Sequence, residues 1–285
     1  MLASTFGSGT IYDISFYNDS LFICSDSSIT IISNVSKSSP NRTTVNLSNN
    51  CNSCYSIAIS NIGYSPSNST TYFAVIFIGY PSVIQAFQLG SSVSSVSVSI
   101  QTQIYKILID PVVEFQYYFL SYDSNNYIAT LNQISCTTFN CSIPVPLSPN
   151  IAATSGYLDM VFFNTSTLII ATDSVYMFNL IDNKYVPILL NQFPMAVKVR
   201  NSLIIIELMD SSYMIIDGST LVSRPIPIPY QLSLSSFDVI ESLNPNVMKI
   251  YSSSSNLMDL YIVTWNVTNF FDENSVYTAP ESASN

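Results

Sequence analysis

Hydrophobic and polar residues alternate in short runs along most of the chain, which is the pattern of half-buried β-strands. The runs are rich in Val, Ile, Tyr, Phe and Thr, and no segment sustains the 3.6-residue apolar period of an amphipathic helix. One unit predicts strands over Ile11–Phe16, Ser20–Ser25 and Ile29–Ser33, with Asp26-Ser27 as the turn before the third strand. The pattern therefore predicts an all-β protein.

The same order of runs recurs along the chain, with a polar turn before the third run of each unit. These turns fall near positions 26, 80, 123, 173, 210 and 255, so they are 54, 43, 50, 37 and 45 residues apart. A four-stranded repeat takes roughly 40–50 residues, and each unit has room for a fourth strand. Prolines alternate at Pro144 and Pro146 and at Pro225, Pro227 and Pro229, a spacing that only an outermost strand tolerates.

This organisation resembles the β-propeller superfamily, in which four-stranded sheets repeat along the chain. Segments such as Ile23–Ile29 and Ile170–Val175 carry the likeness, whereas the Gly-His and Trp-Asp signatures of WD40 repeats are missing. The resemblance implies about six four-stranded blades in a single propeller over residues 1–278, followed by a polar tail at 279–285. Two β-sandwich domains with a boundary near Pro144–Asn150 are the alternative architecture.

Charge and histidine content exclude several functions. Charged residues make up 9% of the chain, and its eight Lys and Arg residues are scattered singly within a net charge of −10. Nucleic acid and anionic membrane surfaces need clustered cations, so neither is predicted as a partner. The longest apolar run, Phe73–Ile78, is too short for membrane insertion. Without histidine, the Ser-His-Asp and Cys-His systems cannot form, and we predict no enzyme and no catalytic residue.

Four aspartates recur in the predicted turns: Asp26, Asp123, Asp173 and Asp210. Equivalent turns of a propeller lie on one face, so these carboxylates are a candidate ligand face for a sugar or for Ca²⁺. The alternative interpretation is turn chemistry, because an Asp side chain accepts hydrogen bonds from backbone N–H groups two residues further on. Apart from that calcium hypothesis, no metal site or cofactor is predicted.

The cysteines form two close pairs, Cys51 with Cys54 and Cys136 with Cys141, and Cys24 stands alone in an apolar strand. Two local disulfides with Cys24 free are the favoured prediction. A Cys₄ zinc site is the alternative, although the 81 residues between Cys54 and Cys136 fit the usual ligand spacing poorly. Disulfides would indicate an oxidising compartment.

Eight Asn-x-Ser/Thr sequons are candidate glycosylation sites. They begin at Asn18, Asn34, Asn41, Asn46, Asn68, Asn140, Asn164 and Asn266. The abundance of Asn, Ser and Thr explains the sequons about as well as glycosylation does. The composition, rich in Ser, Thr, Asn and Tyr and poor in charge, resembles surface and virion proteins of acidophilic archaea and their viruses.

These features together predict a non-enzymatic recognition or adhesion module that is displayed extracellularly, on a cell surface or on a virion. Its partners would be glycans or a surface protein, with self-assembly or a larger parent chain as further expectations. An extracellular carbohydrate-active enzyme of glycosidase type is the first alternative, and an architectural shell or coat subunit is the second. Aromatic runs such as Phe115–Phe119 fit a stacking surface, but strand cores use the same residues.

Overall fold

The computed structural model describes sixteen stretches of the chain. These are residues 11–17, 20–25, 28–35, 39, 41–46, 54–61, 72–78, 83–89, 95–99, 102–113, 115–136, 141–210, 212–226, 234–241, 247–254 and 260–266. Every regular element in these stretches is a β-strand. Nowhere in them is there a helix long and apolar enough to cross a bilayer.

The first compact unit, Met1–Ala152, holds three antiparallel sheets. Sheet 1 consists of β1 (Ile11–Tyr17), β2 (Ser20–Ser25), β3 (Ser28–Ser33) and β4 (Asn41–Asn46). Sheet 2 consists of β5 (Cys54–Asn61), β6 (Tyr72–Ile78), β7 (Val83–Leu89) and β8 (Ser95–Ser99). Sheet 3 consists of β9 (Gln103–Ile109), β10 (Gln116–Asp123), β11 (Ile128–Ser135), β12 (Val145–Pro146) and β13 (Ile151–Ala152).

The second compact unit, Ala153–Asn285, holds three more antiparallel sheets. Sheet 4 consists of β14 (Asp159–Asn164), β15 (Thr167–Ala171), β16 (Val175–Asn179) and β17 (Lys184–Ile188). Sheet 5 consists of β18 (Pro194–Arg200), β19 (Leu203–Leu208), β20 (Tyr213–Asp217) and β21 (Ser223–Ile226). The described part of sheet 6 consists of β22 (Leu234–Glu241), β23 (Val247–Ser254) and β24 (Leu260–Asn266).

The sheets follow the repeat that the sequence predicts. Five of the six turn positions read from the sequence fall between the second and third strand of one sheet, and the sixth, Asp123, is the last residue of the second strand of sheet 3. Strands that are consecutive in the chain pair with each other within each sheet, except that β13 pairs with β11. The chain therefore completes one sheet before it starts the next. The prediction of one domain over 1–278 stays a prediction, and the tail at 279–285 lies outside the described residues.

Three prolines lie in outermost strands, among them the predicted Pro146 and Pro225, whereas Pro144 lies just before β12 and Pro194 begins β18. Pro146 lies in β12, Pro187 in β17 and Pro225 in β21. An outermost strand pairs on one side only, so a residue without an N–H group is tolerated there. The sequence did not predict that the outer edge of sheet 3 is divided, with both β12 and β13 pairing with β11. Pro227 and Pro229 lie outside the described residues.

Within each unit, the first strands of successive sheets contact each other. In the first unit β1 contacts β5 and β5 contacts β9, and in the second unit β14 contacts β18 and β18 contacts β22. The clearest shared core lies between sheets 4 and 5. Its buried members are Ile169, Ala171, Val175, Ile188, Val197, Ile204, Ile206, Leu208 and Ile216. Aliphatic side chains of sheet 4 therefore pack against those of sheet 5, and the burial of this apolar surface stabilises the two sheets together.

Candidate functional site

The candidate site lies at one end of sheets 4 and 5. In an antiparallel sheet, the connection between the second and third strands lies at the same end as the segment that leads into the first strand. We use "turn end" for this end of the two sheets: the β15–β16 and β19–β20 connections together with the segments that lead into β14 and β18. The segment 189–193 joins β17 to β18 and so links the two sheets at this end.

Asp173 fastens the β15–β16 turn to the segment before β14. One carboxylate oxygen accepts hydrogen bonds from the backbone N–H and the hydroxyl of Thr154, both at 2.8 Å. The other oxygen accepts a hydrogen bond from the Ser155 N–H at 2.9 Å. Partial burial opposes ionisation, but these hydrogen bonds outweigh it and lower the pKa of Asp173 below its ordinary value.

In sheet 5, Asp210 fastens the β19–β20 turn to the 189–193 segment. Its Oδ1 accepts from the backbone N–H of Ser212 at 3.0 Å and from the Ser212 hydroxyl at 2.6 Å, while its Oδ2 accepts from Gln192 Nε2 at 2.7 Å. The hydrogen bond from the Ser212 side chain is the main reason that the pKa of Asp210 is lowered. The N–H of Met209 also donates to the carbonyl oxygen of Phe193 at 2.9 Å, so two bonds fix this turn to the 189–193 segment.

In sheet 3, the Asp123 side chain accepts hydrogen bonds from within the β10–β11 turn. It accepts from the Asn125 N–H at 2.9 Å and from Asn126 Nδ2 at 2.7 Å, and the bond from Asn126 is the main cause of its lowered pKa. Asp26 lies outside the described residues. Each described aspartate thus has the geometry of turn chemistry, and within the second unit Asp173 and Asp210 lie at the same end of two adjacent sheets. No group of three metal-ligating side chains occurs among the described residues.

Apolar side chains are exposed beside these aspartates. Leu189 is 85% exposed, Phe193 is 40% exposed and Met209 is 56% exposed. We call these three residues the apolar strip. Leu189 follows Ile188, whose carbonyl oxygen accepts a 2.7 Å hydrogen bond from the Ser174 hydroxyl, so the strip extends from the turn of sheet 4 to the turn of sheet 5. The strip could not be predicted from the sequence, because nothing in the local pattern distinguishes the exposed Leu189 from a residue of a strand.

The two ends of sheets 4 and 5 differ in charge. Among the described parts of these sheets and their connections, the charged residues in or next to the turn end are all acidic: Asp173 and Asp210 in the turns, Asp159 in β14 and Glu207 in β19. The opposite end carries both signs: Asp182, Asp217, Lys184, Arg200 and Arg224. Lys198 lies in the middle of β18, opposite Ile205. The turn end therefore has an acidic surface, formed by Asp173 and Asp210, with apolar side chains beside it.

Glu207 is the buried member of this acidic set. It lies in β19 between Ala196 and Tyr213 of the neighbouring strands and is 3% exposed. Desolvation by burial raises the pKa of its carboxyl group to about 7. Sequence reasoning missed this group, since only the sheet stacking shows that this position is buried.

The cysteines are described in part. The structure joins Cys136 and Cys141 in a disulfide that closes the loop after β11. Cys51 lies outside the described residues, and the side chains of Cys24 and Cys54 are not described. The proposed Cys51–Cys54 disulfide therefore stays a prediction.

The sequons are also described in part. Asn41 and Asn164 are exposed, and Asn34 is half-buried with a left-handed φ of 59°. Oδ1 of Asn164 accepts a 2.9 Å hydrogen bond from the Ser166 N–H within an exposed turn. Asn18, Asn68 and Asn140 lie outside the described residues, and the side chains of Asn46 and Asn266 are not described. Glycosylation at these positions stays a prediction.

Three solved structures are similar to this chain over most of its length. The Myceliophteria thermophila Cps50 (Swd1) β-propeller domain matches with a TM-score of 0.61 at 11% identity, covering 92% of this chain and 85% of that one. The Neurospora crassa Pan2 WD40 domain matches with a TM-score of 0.58 at 10% identity, covering 88% of this chain and 74% of that one. Kluyveromyces lactis Hsv2 matches with a TM-score of 0.56 at 10% identity, covering 95% of this chain and 78% of that one.

Sequence comparison adds no relative, since neither a protein-family model nor a curated protein matches the chain. At identities near 10% the structural likeness shows the fold alone. The fold is a β-propeller, as the sequence predicted, and the β-sandwich alternative is set aside. A β-propeller is a general binding scaffold that presents turns from successive sheets on a common surface.

Proposed function

We propose that this protein is a non-enzymatic recognition module, displayed outside a cell or on a virion, that binds protein or glycan partners through the turn end. The observation that carries the proposal is the apolar strip. Its three exposed side chains lie on connections fixed by the hydrogen bonds of Gln192 to Asp210, of Met209 to Phe193 and of Ser174 to Ile188. Exposed apolar side chains on a pre-ordered surface favour binding, because little conformational entropy is lost when a partner docks.

Two further observations support display outside the cell. The Cys136–Cys141 disulfide fits an oxidising compartment, where such bonds persist. The low content of charged residues fits an exterior of variable pH, since few ionisation equilibria are linked to folding.

The proposal is tested with the whole chain immobilised against a glycan array and a peptide array, in parallel with a panel of chromogenic glycosides. We expect saturable binding to members of one array and no release of chromophore. Turnover of a glycoside would contradict the proposal in favour of the carbohydrate-active enzyme. Spontaneous assembly into large particles without binding on either array would contradict it in favour of the shell subunit.

A further inference from the structure

The turn end combines exposed apolar side chains with negative charge that no described cation neutralises. Asp173 and Asp210 receive their hydrogen bonds from neutral donors, which leave the carboxylate charge in place. Neither residue has an ion pair with a described Lys or Arg. A cation brought by a partner would therefore meet, next to apolar surface, two carboxylates that no described Lys or Arg neutralises.

We propose that the apolar strip, flanked by Asp173 and Asp210, is the docking surface for a polypeptide segment that carries Lys or Arg among aliphatic or aromatic side chains. The inference rests on the proposed recognition function and specifies its partner. Apolar side chains of the segment would cover Leu189, Phe193 and Met209, and its cations would lie against the two carboxylates. Both contacts are needed, since exposed ion pairs alone contribute little to affinity.

Other occupants fit the surface less well. A second copy of this chain would bring its own Asp173 and Asp210 against the same acidic end, and like charges repel. A neutral glycan stacks on aromatic faces, but the most exposed members of the strip, Leu189 and Met209, are aliphatic. A calcium ion takes six to eight oxygen ligands, whereas no group of three metal-ligating side chains occurs among the described residues.

The chain offers a matched control at the opposite end of sheet 4. Met209 and Asp210 are an exposed apolar residue followed by an aspartate at the turn end. Ile181 and Asp182 form the same pair in the β16–β17 connection, where Ile181 is 81% exposed. Asp182 there lies 3.7 Å from the ammonium group of Lys184, so its charge is compensated.

The test uses fluorescence anisotropy with three labelled peptides of about 15 residues, a length that spans a typical recognition groove. One intersperses Lys with Leu, the second replaces Lys by Glu, and the third replaces Leu by Ser. We expect the Lys/Leu peptide to bind at least about tenfold more tightly than the other two, with an affinity that falls as salt is raised. Equal binding of the Lys/Ser peptide would overturn the apolar part of the proposal.

Variants then locate the site. The double change Met209→Ser with Asp210→Asn should weaken Lys/Leu binding by about tenfold, and Leu189→Ser alone by a few-fold, because each removes an anchor. Leu189→Ser removes only an exposed side chain, so it reports on docking if the double variant loses its fold. Ile181→Ser with Asp182→Asn should leave binding unchanged. If this control variant weakens binding as much as the turn-end variant, the location is wrong.

Failure of this inference is distinguishable from failure of the recognition function. Saturable binding on the glycan array, with no binding of the Lys/Leu peptide, would overturn the cationic segment while leaving the recognition module in place. Absence of binding on both arrays and to all three peptides would overturn both proposals.

Discussion

The variant Glu207→Gln is expected to be more stable than the natural chain at pH 8 and equally stable at pH 4. Burial raises the pKa of Glu207 from 4.5 to about 7 in the folded protein. Below its pKa in the unfolded chain, the Glu207 carboxyl group is protonated in both the folded and the unfolded state, so it does not lower the free energy of unfolding. Between pH 4.5 and 7, Glu207 ionises in the unfolded chain but stays mostly protonated in the folded protein, so its destabilising effect grows with pH. Above pH 7 the group is ionised in both states and the destabilisation is constant. This shift corresponds to about 3 kcal/mol at pH 8.

Groups around Glu207 do not compensate its charge. Tyr213 pairs with it directly on β20, and Lys198 lies diagonally across on β18 without an ion pair to it among the described residues. The sequence of strand β22, which contacts β18, contains Asp238 and Glu241 and no Lys or Arg.

Chemical denaturation at pH 4, 6 and 8 measures the effect. The stability of the natural chain should fall relative to Glu207→Gln as the pH rises. The exposed Asp182→Asn is the control and should change stability by less than about 1 kcal/mol at each pH. Parallel pH profiles for Glu207→Gln and the natural chain would show that the buried carboxyl group titrates normally.

The second large effect is expected from Ile206→Ala, which should lower the free energy of unfolding by about 2–5 kcal/mol. Ile206 lies in β19 and is fully buried in the core between sheets 4 and 5. Removing three methyl or methylene carbons there loses transfer free energy and leaves a cavity, because strands from two sheets hold the surrounding side chains.

A graded series makes this result specific. Ile206→Val should cost about 0.5–1.5 kcal/mol, and the exposed Val222→Ala less than about 0.5 kcal/mol. Thermal and denaturant unfolding would give the three values. If Ile206→Ala cost no more than Val222→Ala, sheets 4 and 5 would not share the aliphatic core described above.

The periodicity of the sequence was sufficient to predict the fold. Six turns with near-regular spacing, each preceding a third strand, match the six sheets because strand alternation and turn residues are local properties. The outermost strands were predicted for the same reason, since proline restricts its own position. The divided edge of sheet 3 was missed because β12 and β13 have two residues each, too few to show a pattern.

The candidate site was predicted less well, because it depends on contacts between sheets. The sequence singled out Asp173 and Asp210 by their recurrence, but not their bonds to Thr154 and Gln192, which lie 19 and 18 residues away. The buried Glu207 likewise escaped notice, since a strand position shows its burial only once the neighbouring sheet is in place. Tyr117 and Phe119, from a run that could equally have formed a stacking surface, are core residues.

The most direct test of the central claim, that the turn end is where partners dock, is hydrogen–deuterium exchange of the whole chain with and without the peptide or glycan that binds best. We predict slowed exchange in the 189–193 and 208–213 segments, because a bound partner would cover the amides of these connections. Exchange at the opposite connections, 179–184 and 217–222, should be unchanged. Slowed exchange confined to the opposite connections would contradict the account.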